Sequence, residues 1–151
     1  MSRVDFYILP DDQLSNLQKY ACELAESHWK SGKRVLIQTD SSDDSQQLNE
    51  LLWSFRKESF IPHGIASLEP VDEQQPVLIS HHRVIDSNFQ QVINLSSRPS
   101  DITNSDNLNI EELLNQNEQR KKTGRLHYKT YRELGYTLEH HTLETVNGEQ
   151  R

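Results

Sequence analysis

Short apolar runs alternate with helix-length amphipathic segments along this chain, and that alternation constrains the fold more than any other feature. Residues 4–9 (VDFYIL) are β-branched and aromatic, and Pro10-Asp11-Asp12 follows, which predicts a strand and a turn. Over residues 14–30, Leu14, Leu17, Ala21, Leu24, Ala25 and His28 recur at three- and four-residue steps, the spacing of a helix with one buried face. Gly32 stands where a helix C-cap belongs. Residues 34–39 (RVLIQT) read as a second strand, and Ser41-Ser42-Asp43-Asp44 offers N-caps for a second helix through Leu48, Leu51, Leu52 and Phe55. Residues 76–80 and 91–96 read as further strands, and 136–143 as a last one. Residues 110–134 read as one helix, in which Gly124 costs about 1 kcal/mol relative to alanine. Residues 59–65 read as a loop or edge segment, 83–90 as a short turn or helix, and 97–108 as an exposed polar loop. Strands alternating with helices imply an α/β layered fold with a largely parallel sheet of four or five strands. We expect one domain over residues 1–143 and a flexible tail over 144–151.

Composition narrows the class. Only 33% of the 151 residues are hydrophobic and 26% are charged, which predicts one modest core with polar loops. No apolar run approaches membrane-spanning length, and the N-terminus lacks a basic segment followed by an apolar one. The lone cysteine, Cys22, cannot form an internal disulfide. These features point to a cytoplasmic protein without a membrane partner. A net charge of −7 argues against a general nucleic-acid coat.

An α/β fold invites a nucleotide site, but the loop after the first strand has no glycine and carries two acids, which would repel a phosphate. Ser31-Gly32-Lys33-Arg34 leads from a helix into a strand, the reverse of a phosphate loop, and lacks the surrounding motif. The pairs His81-His82 and His140-His141 lack metal-ligand spacing, and neighbours on a strand point to opposite faces. Ser80, His81 and Asp86 supply triad residue types without a nucleophile elbow. Cys22 falls on the apolar side of the first helix and reads as a core residue. The residues offer no catalytic constellation, cofactor motif or metal-ligand set above background.

The charge distribution is more informative. Residues 120–132 hold Arg120, Lys121, Lys122, Arg125, Lys129 and Arg132, six of the 16 lysines and arginines, with no acid among them. The rest of the chain carries −13. On a helix, Lys121, Arg125, Tyr128, Lys129 and Arg132 share one broad face. Cations beside an aromatic ring suit a carboxylate-bearing peptide with a hydrophobic group next to it. They equally suit single-stranded nucleic acid, with phosphates on the cations and bases on Tyr128 or Tyr131. A solvated basic face is the plain alternative. A second cluster, Trp53 and Phe55 with Phe60-Ile61-Pro62, is either core or an aromatic anchor for a protein partner.

Taken in order, Phe6-Tyr7-Ile8-Leu9, Ser31-Gly32-Lys33-Arg34-Val35-Leu36-Ile37, Leu52-Trp53, Glu58-Ser59-Phe60-Ile61-Pro62-His63, Tyr128-Lys129-Thr130-Tyr131-Arg132 and Gly135-Tyr136 resemble the chi subunit of bacterial DNA polymerase III. The resemblance runs from about Val4 to Leu138 and lies in the order and spacing of the set. It implies a Rossmann-like three-layer fold with a mostly parallel central sheet and no nucleotide-binding loop. It also implies a non-catalytic accessory protein of the clamp loader with two partners. One is the psi subunit, which the family meets through an aromatic region matching Trp53, Phe60, Ile61 and Pro62. The other is the acidic, phenylalanine-ended C-terminal tail of single-stranded-DNA-binding protein, through which single-stranded DNA is reached indirectly. The family's tail-binding cations match Lys121 and Arg125, with Tyr128, Lys129 and Arg132 on the same face. Three features depart from the family pattern: a longer, more polar 97–108 loop, residues 139–151 past the usual end, and Gly124 beside Arg125, which is expected to loosen the helix there.

Overall fold

The opening apolar run forms β1 (Arg3–Ile8), and the turn at Pro10 leads into α1 (Leu14–Lys30). β2 (Val35–Gln38), α2 (Ser42–Ser54), β3 (His63–Ile65), β4 (Val77–Ser80), β5 (Gln91–Asn94), β6 (Asn109–Leu114), α3 (Glu118–Glu133) and β7 (Thr137–Thr142) follow. The computed structural model describes residues 3–55, 61–65, 76–82, 89–100 and 108–144. The 83–90 segment apart from residues 89–90, Phe60, Asp86 and the tail beyond Glu144 lie outside the described residues.

Among the described residues, seven strands form one parallel sheet in the order β3-β4-β2-β5-β6-β1-β7. The expected four or five strands become seven for two reasons. The segment read as a loop or edge contributes the three-residue edge strand β3. The other addition corrects the reading of residues 110–134 as one helix, because Asn109–Leu114 is a strand between β5 and β1. Ile110, Leu113 and Leu114 have helical spacing, but here they alternate across the sheet. Ile110 joins the core on the α3 face and Leu113 the core on the α1 face.

The helices cover the two faces. Leu17, Ala21, Cys22, Leu48 and Leu52 of α1 and α2 pack on Val35, Ile37, Val77, Ile79 and Ile93. On the other face, Tyr131 of α3 packs with Val4, Phe6, Leu36, Val92 and Ile110. Each buried aliphatic side chain is worth roughly 1.5–3 kcal/mol of transfer free energy, so these clusters outweigh local propensity. Burial pushes the Cys22 thiol up to about 12, with the Glu23 charge adding to it, so it is a core group. Two glycines end helices where positive φ is required. Gly32 (φ +80°) follows α1 and Gly135 (φ +83°) follows α3. In each case the next N–H reaches back to a carbonyl five residues earlier, Lys33 to His28 and Tyr136 to Tyr131.

Where a dinucleotide fold presents its phosphate loop, the Asp11 carboxylate accepts the Gln13 N–H at 3.1 Å and the Asn16 amide at 2.7 Å. Gln116 seals the loop from the other side by donating its side-chain amide to the Leu9 carbonyl at 3.0 Å.

Of the 97–108 loop, residues 97–100 and 108 are described, and they are not uniformly exposed. Ser97 and Arg98 are exposed, but Ser100 and Leu108 are buried. Ser100 donates its N–H to the Tyr131 hydroxyl at 2.6 Å, and Leu108 joins the core beneath α3. The Tyr131 hydroxyl in turn donates to Glu112 at 2.6 Å, and the Asn94 amide donates to the same carboxylate oxygen at 2.7 Å. The other oxygen of Glu112 lies 2.7 Å from His127 Nδ1, while His127 Nε2 lies 3.0 Å from the Ser97 carbonyl. Both ring nitrogens therefore face acceptors, and only an imidazolium donates to both. Burial opposes that charge, but the Glu112 hydrogen bond and charge, the Ser97 carbonyl and Asp40 outweigh it and raise the His127 pKa above its ordinary 6.5.

A folded-state pKa above the unfolded value means that folding takes up a proton. The stabilisation from this pair is complete below about pH 6.5 and is lost as pH rises through the higher folded-state value. Urea unfolding of wild type and His127→Gln between pH 5.5 and about 9 should show a stability gap of roughly 1–3 kcal/mol that narrows as pH rises. A gap that stays constant or widens would contradict the assignment.

Candidate functional site

Asn117 starts α3 by accepting the Arg120 N–H on its side-chain oxygen at 3.0 Å. The helix then lies across β6, β1 and β7 with Gly124, His127 and Tyr131 turned to the sheet. Gly124 is the closest approach. A Cβ there would sit 2.5 Å from Leu114 Cδ1 and 3.2 Å from Leu114 Cγ. The helix runs unbroken through this glycine, so the expected loosening is not seen. Its missing side chain instead lets Leu114 pack directly against the helix backbone.

Gly124 and Leu114 together line a cavity of about 570 Å³. Phe6 and Ile8 of β1, with Leu114 of β6, supply apolar lining. Asn115 and Gln116 line it just after β6, Lys121, Gly124, Arg125 and Tyr128 from α3, and His140 from β7. Three of the five cationic-face residues expected from the sequence therefore line one cavity: Lys121, Arg125 and Tyr128. Lys129 and Arg132 do not line it. Both are exposed, and the Arg132 guanidinium lies 5.9 Å from the centre of the Tyr128 ring, so it extends the positive field beside the cavity. Lys121 is half-buried and stands 3.6 Å from Glu118 across one helical turn, while Arg125 is exposed. Cations lie beside a recess lined by apolar and aromatic side chains, an arrangement that suits a ligand carrying both a carboxylate and a hydrophobic group.

The other basic residues separate. Arg120 turns away from this face and donates to the Leu95 carbonyl at 3.0 Å, beyond the C-terminal end of β5. Its pKa is lowered by burial, with Asp40, Asp44 and Glu112 opposing the shift, so it is a structural cation. Lys122 is exposed and lines no part of the cavity.

Several cavity residues were not read as site residues in the sequence. Phe6 and Ile8 share a face because they are two apart on a strand, a signal that was present. His140 becomes visible only when β7 is placed beside β1, in register with Phe6. Its neighbour His141 points the other way and lies 2.9 Å from Asp5 Oδ1, as strand alternation requires. Asp5, Glu139 and His141 bring their polar atoms within 4.8 Å of one another, but the Arg3 guanidinium bridges both acids at 2.9 Å. His81 meets Ser45 Oγ at 3.0 Å, whereas Ser80 Oγ donates to the His82 carbonyl. The types Ser80 and His81 therefore form no dyad with each other.

The aromatic cluster divides too. Trp53 is 53% exposed on α2, with its ring 4.7 Å from the His63 ring. Ile61 is 1% exposed and belongs to the core, so it supports this surface from beneath and cannot itself meet a partner. Pro62 is half-buried.

The family described as DNA polymerase III chi subunit, HolC, matches residues 1–139. A Pseudomonas aeruginosa protein named DNA polymerase III subunit chi is 32% identical over 147 residues, covering 97% of this chain and 100% of that protein. An Escherichia coli K12 protein of the same name is 31% identical over 143 residues, covering 91% of this chain and 96% of its own. Among solved structures, T4 UvsW aligns with 93% of this chain and 42% of its own at a TM-score of 0.64. At 11% identity that likeness concerns the fold alone. The family match over nearly the whole length and two full-length relatives carry the conclusion that the chain belongs to the DNA polymerase III chi subunit family of replication accessory proteins.

Proposed function

We propose that this protein is a non-catalytic adaptor of the replicative polymerase. Its α3 cavity would take the acidic, phenylalanine-ended C-terminal tail of single-stranded-DNA-binding protein, and its Trp53 surface would meet the psi subunit. The observation that carries the first half is the cavity itself. Lys121 and Arg125 border a recess lined by Phe6, Ile8, Leu114 and Tyr128, with volume enough for one aromatic ring. A terminal carboxylate pairs with Arg125 or Lys121, the phenyl ring enters the recess, and preceding acids meet Lys129 and Arg132. A continuous nucleic-acid strand has no comparable terminal group for such a recess, which favours the peptide over direct DNA binding.

The second half rests on exposure. Trp53 is a large exposed aromatic side chain beside His63 of the edge strand β3, which half-buried Pro62 directly precedes. The cavity lies at the β1–β7 side of the sheet and Trp53 at the β3 side. Five or six strand spacings of ~4.8 Å put these surfaces about 25 Å apart, far enough for both partners to bind together.

A short peptide on such a site gives roughly micromolar affinity. Exposed cations make it salt-sensitive, because charges screen over about 10 Å at 0.1 M salt. Arg125→Ala should weaken the tail peptide by about 1.5–3 kcal/mol, roughly ten- to a hundredfold, and leave psi capture intact. Trp53→Ala should do the reverse. Calorimetry with the peptide and pull-down with psi check both, and loss of both partners in either variant would contradict two separate surfaces.

Gly124→Ala is a third test. Alanine gains up to ~1 kcal/mol in helix propensity, but its Cβ displaces the Leu114 side chain that lines the recess. Melting temperature should change little while peptide affinity falls several-fold. Undiminished affinity would show that the recess is not where the ring sits.

A further inference from the structure

Three rings meet at the cavity. The Phe6 and Tyr128 centroids are 5.6 Å apart at 54°. The His140 ring stacks on Tyr128 at 5.0 Å and 22° and lies 5.6 Å from Phe6 at 31°. Phe6 is buried and fixed by the core, Tyr128 is half-buried, and His140 is exposed. His140 reaches the cavity because β7 pairs with β1 in the register that sets it directly opposite Phe6. Among the described residues β7 is the edge of the sheet, with no further strand outside it. On that side the recess is bounded by His140, and a smaller side chain there would leave the recess open along the sheet edge.

We propose that His140 is a specificity-determining residue, the outer wall that makes the recess a ring pocket and gives the site its preference for an aromatic terminal residue. The inference rests on the peptide reading given above. A flat ring stacked on Tyr128 does two things. It holds Tyr128 in the orientation that faces the recess, and it offers its own face or edge to an incoming ring, the offset and edge-on arrangements that aromatic pairs favour. Lys121 and Arg125 account for the attraction of acids in general. They do not distinguish a terminal phenylalanine from a terminal alanine, whereas a wall of three rings does.

The test is a double-mutant cycle between protein and peptide. Wild type, His140→Ala and His140→Phe are titrated with a synthetic acidic peptide ending in phenylalanine and with the same peptide ending in alanine. Against the phenylalanine peptide, His140→Ala should bind about three- to tenfold more weakly, and His140→Phe should return to within about twofold of wild type. Against the alanine peptide, His140→Ala should change affinity by less than about twofold. The proposal is overturned if His140→Ala leaves the phenylalanine peptide unaffected, if it weakens both peptides equally, or if His140→Phe fails to restore binding. Wild type binding neither peptide would remove the peptide reading and the proposal with it, an outcome distinct from the other three.

Discussion

A carboxylate leaves water only when hydrogen bonds and opposite charge replace its hydration, and the placement of α3 depends on one that does. Glu112 is 1% exposed at the C-terminal half of β6. His127, Tyr131 and Asn94 all direct hydrogen bonds to it. Two of those partners lie on α3, one turn apart, so satisfying Glu112 fixes both the rotation and the height of the helix on the sheet. That rotation turns Gly124 onto Leu114 and sends Lys121, Arg125 and Tyr128 toward the cavity. Removing one partner from a buried ion pair typically costs about 3–5 kcal/mol, more than a helix of this length gains from propensity. The cavity-lining face of α3 is thus set by polar contacts made on the adjoining, sheet-facing side.

Much of this was legible in the sequence where side chains follow the plain rule of apolar inside and polar outside. α1 begins and ends at the expected residues, Leu14 and Lys30, and Ser41 caps α2 through the Asp44 N–H. The basic face was legible from charge and period alone. β6 was misread because Glu111 and Glu112 look like solvent-facing helix residues, whereas each is buried beside a histidine. Glu111 lies 2.6 Å from His28 of α1, and Glu112 pairs with His127 of α3. Adjacent strand residues point to opposite faces, so each acid needed a partner in a different layer. Those partners are 83 and 15 residues away, and local pattern does not reveal them. His140 was missed for the same kind of reason, since its role exists only once β7 is paired in register with Phe6.

The parallel sheet also separates the two surfaces proposed for partners. Strand order, not sequence order, separates them: β3 and β7 are the two edges, and five strands lie between. At the loops that follow β1, β2 and β5, the sites where related architectures hold nucleotides, this chain has its own groups in place. Asp11 takes the amides after β1, Asp40 accepts the Ser97 N–H and hydroxyl at 2.8 Å, and Arg120 donates to Leu95. The outer faces are left as the surfaces on which we propose that partners dock.

The central claim is that an acidic, phenylalanine-ended peptide enters the cavity between α3 and the β6–β1–β7 side of the sheet. Backbone amide shift mapping of the labelled protein during titration with that peptide tests it most directly. The account predicts the largest changes at residues 114–116, at 121–128 and at His140, with Trp53 and His63 unmoved. Changes centred on Trp53 and His63, or on the loops around Asp40 and Ser97, with the α3 face silent, would contradict it.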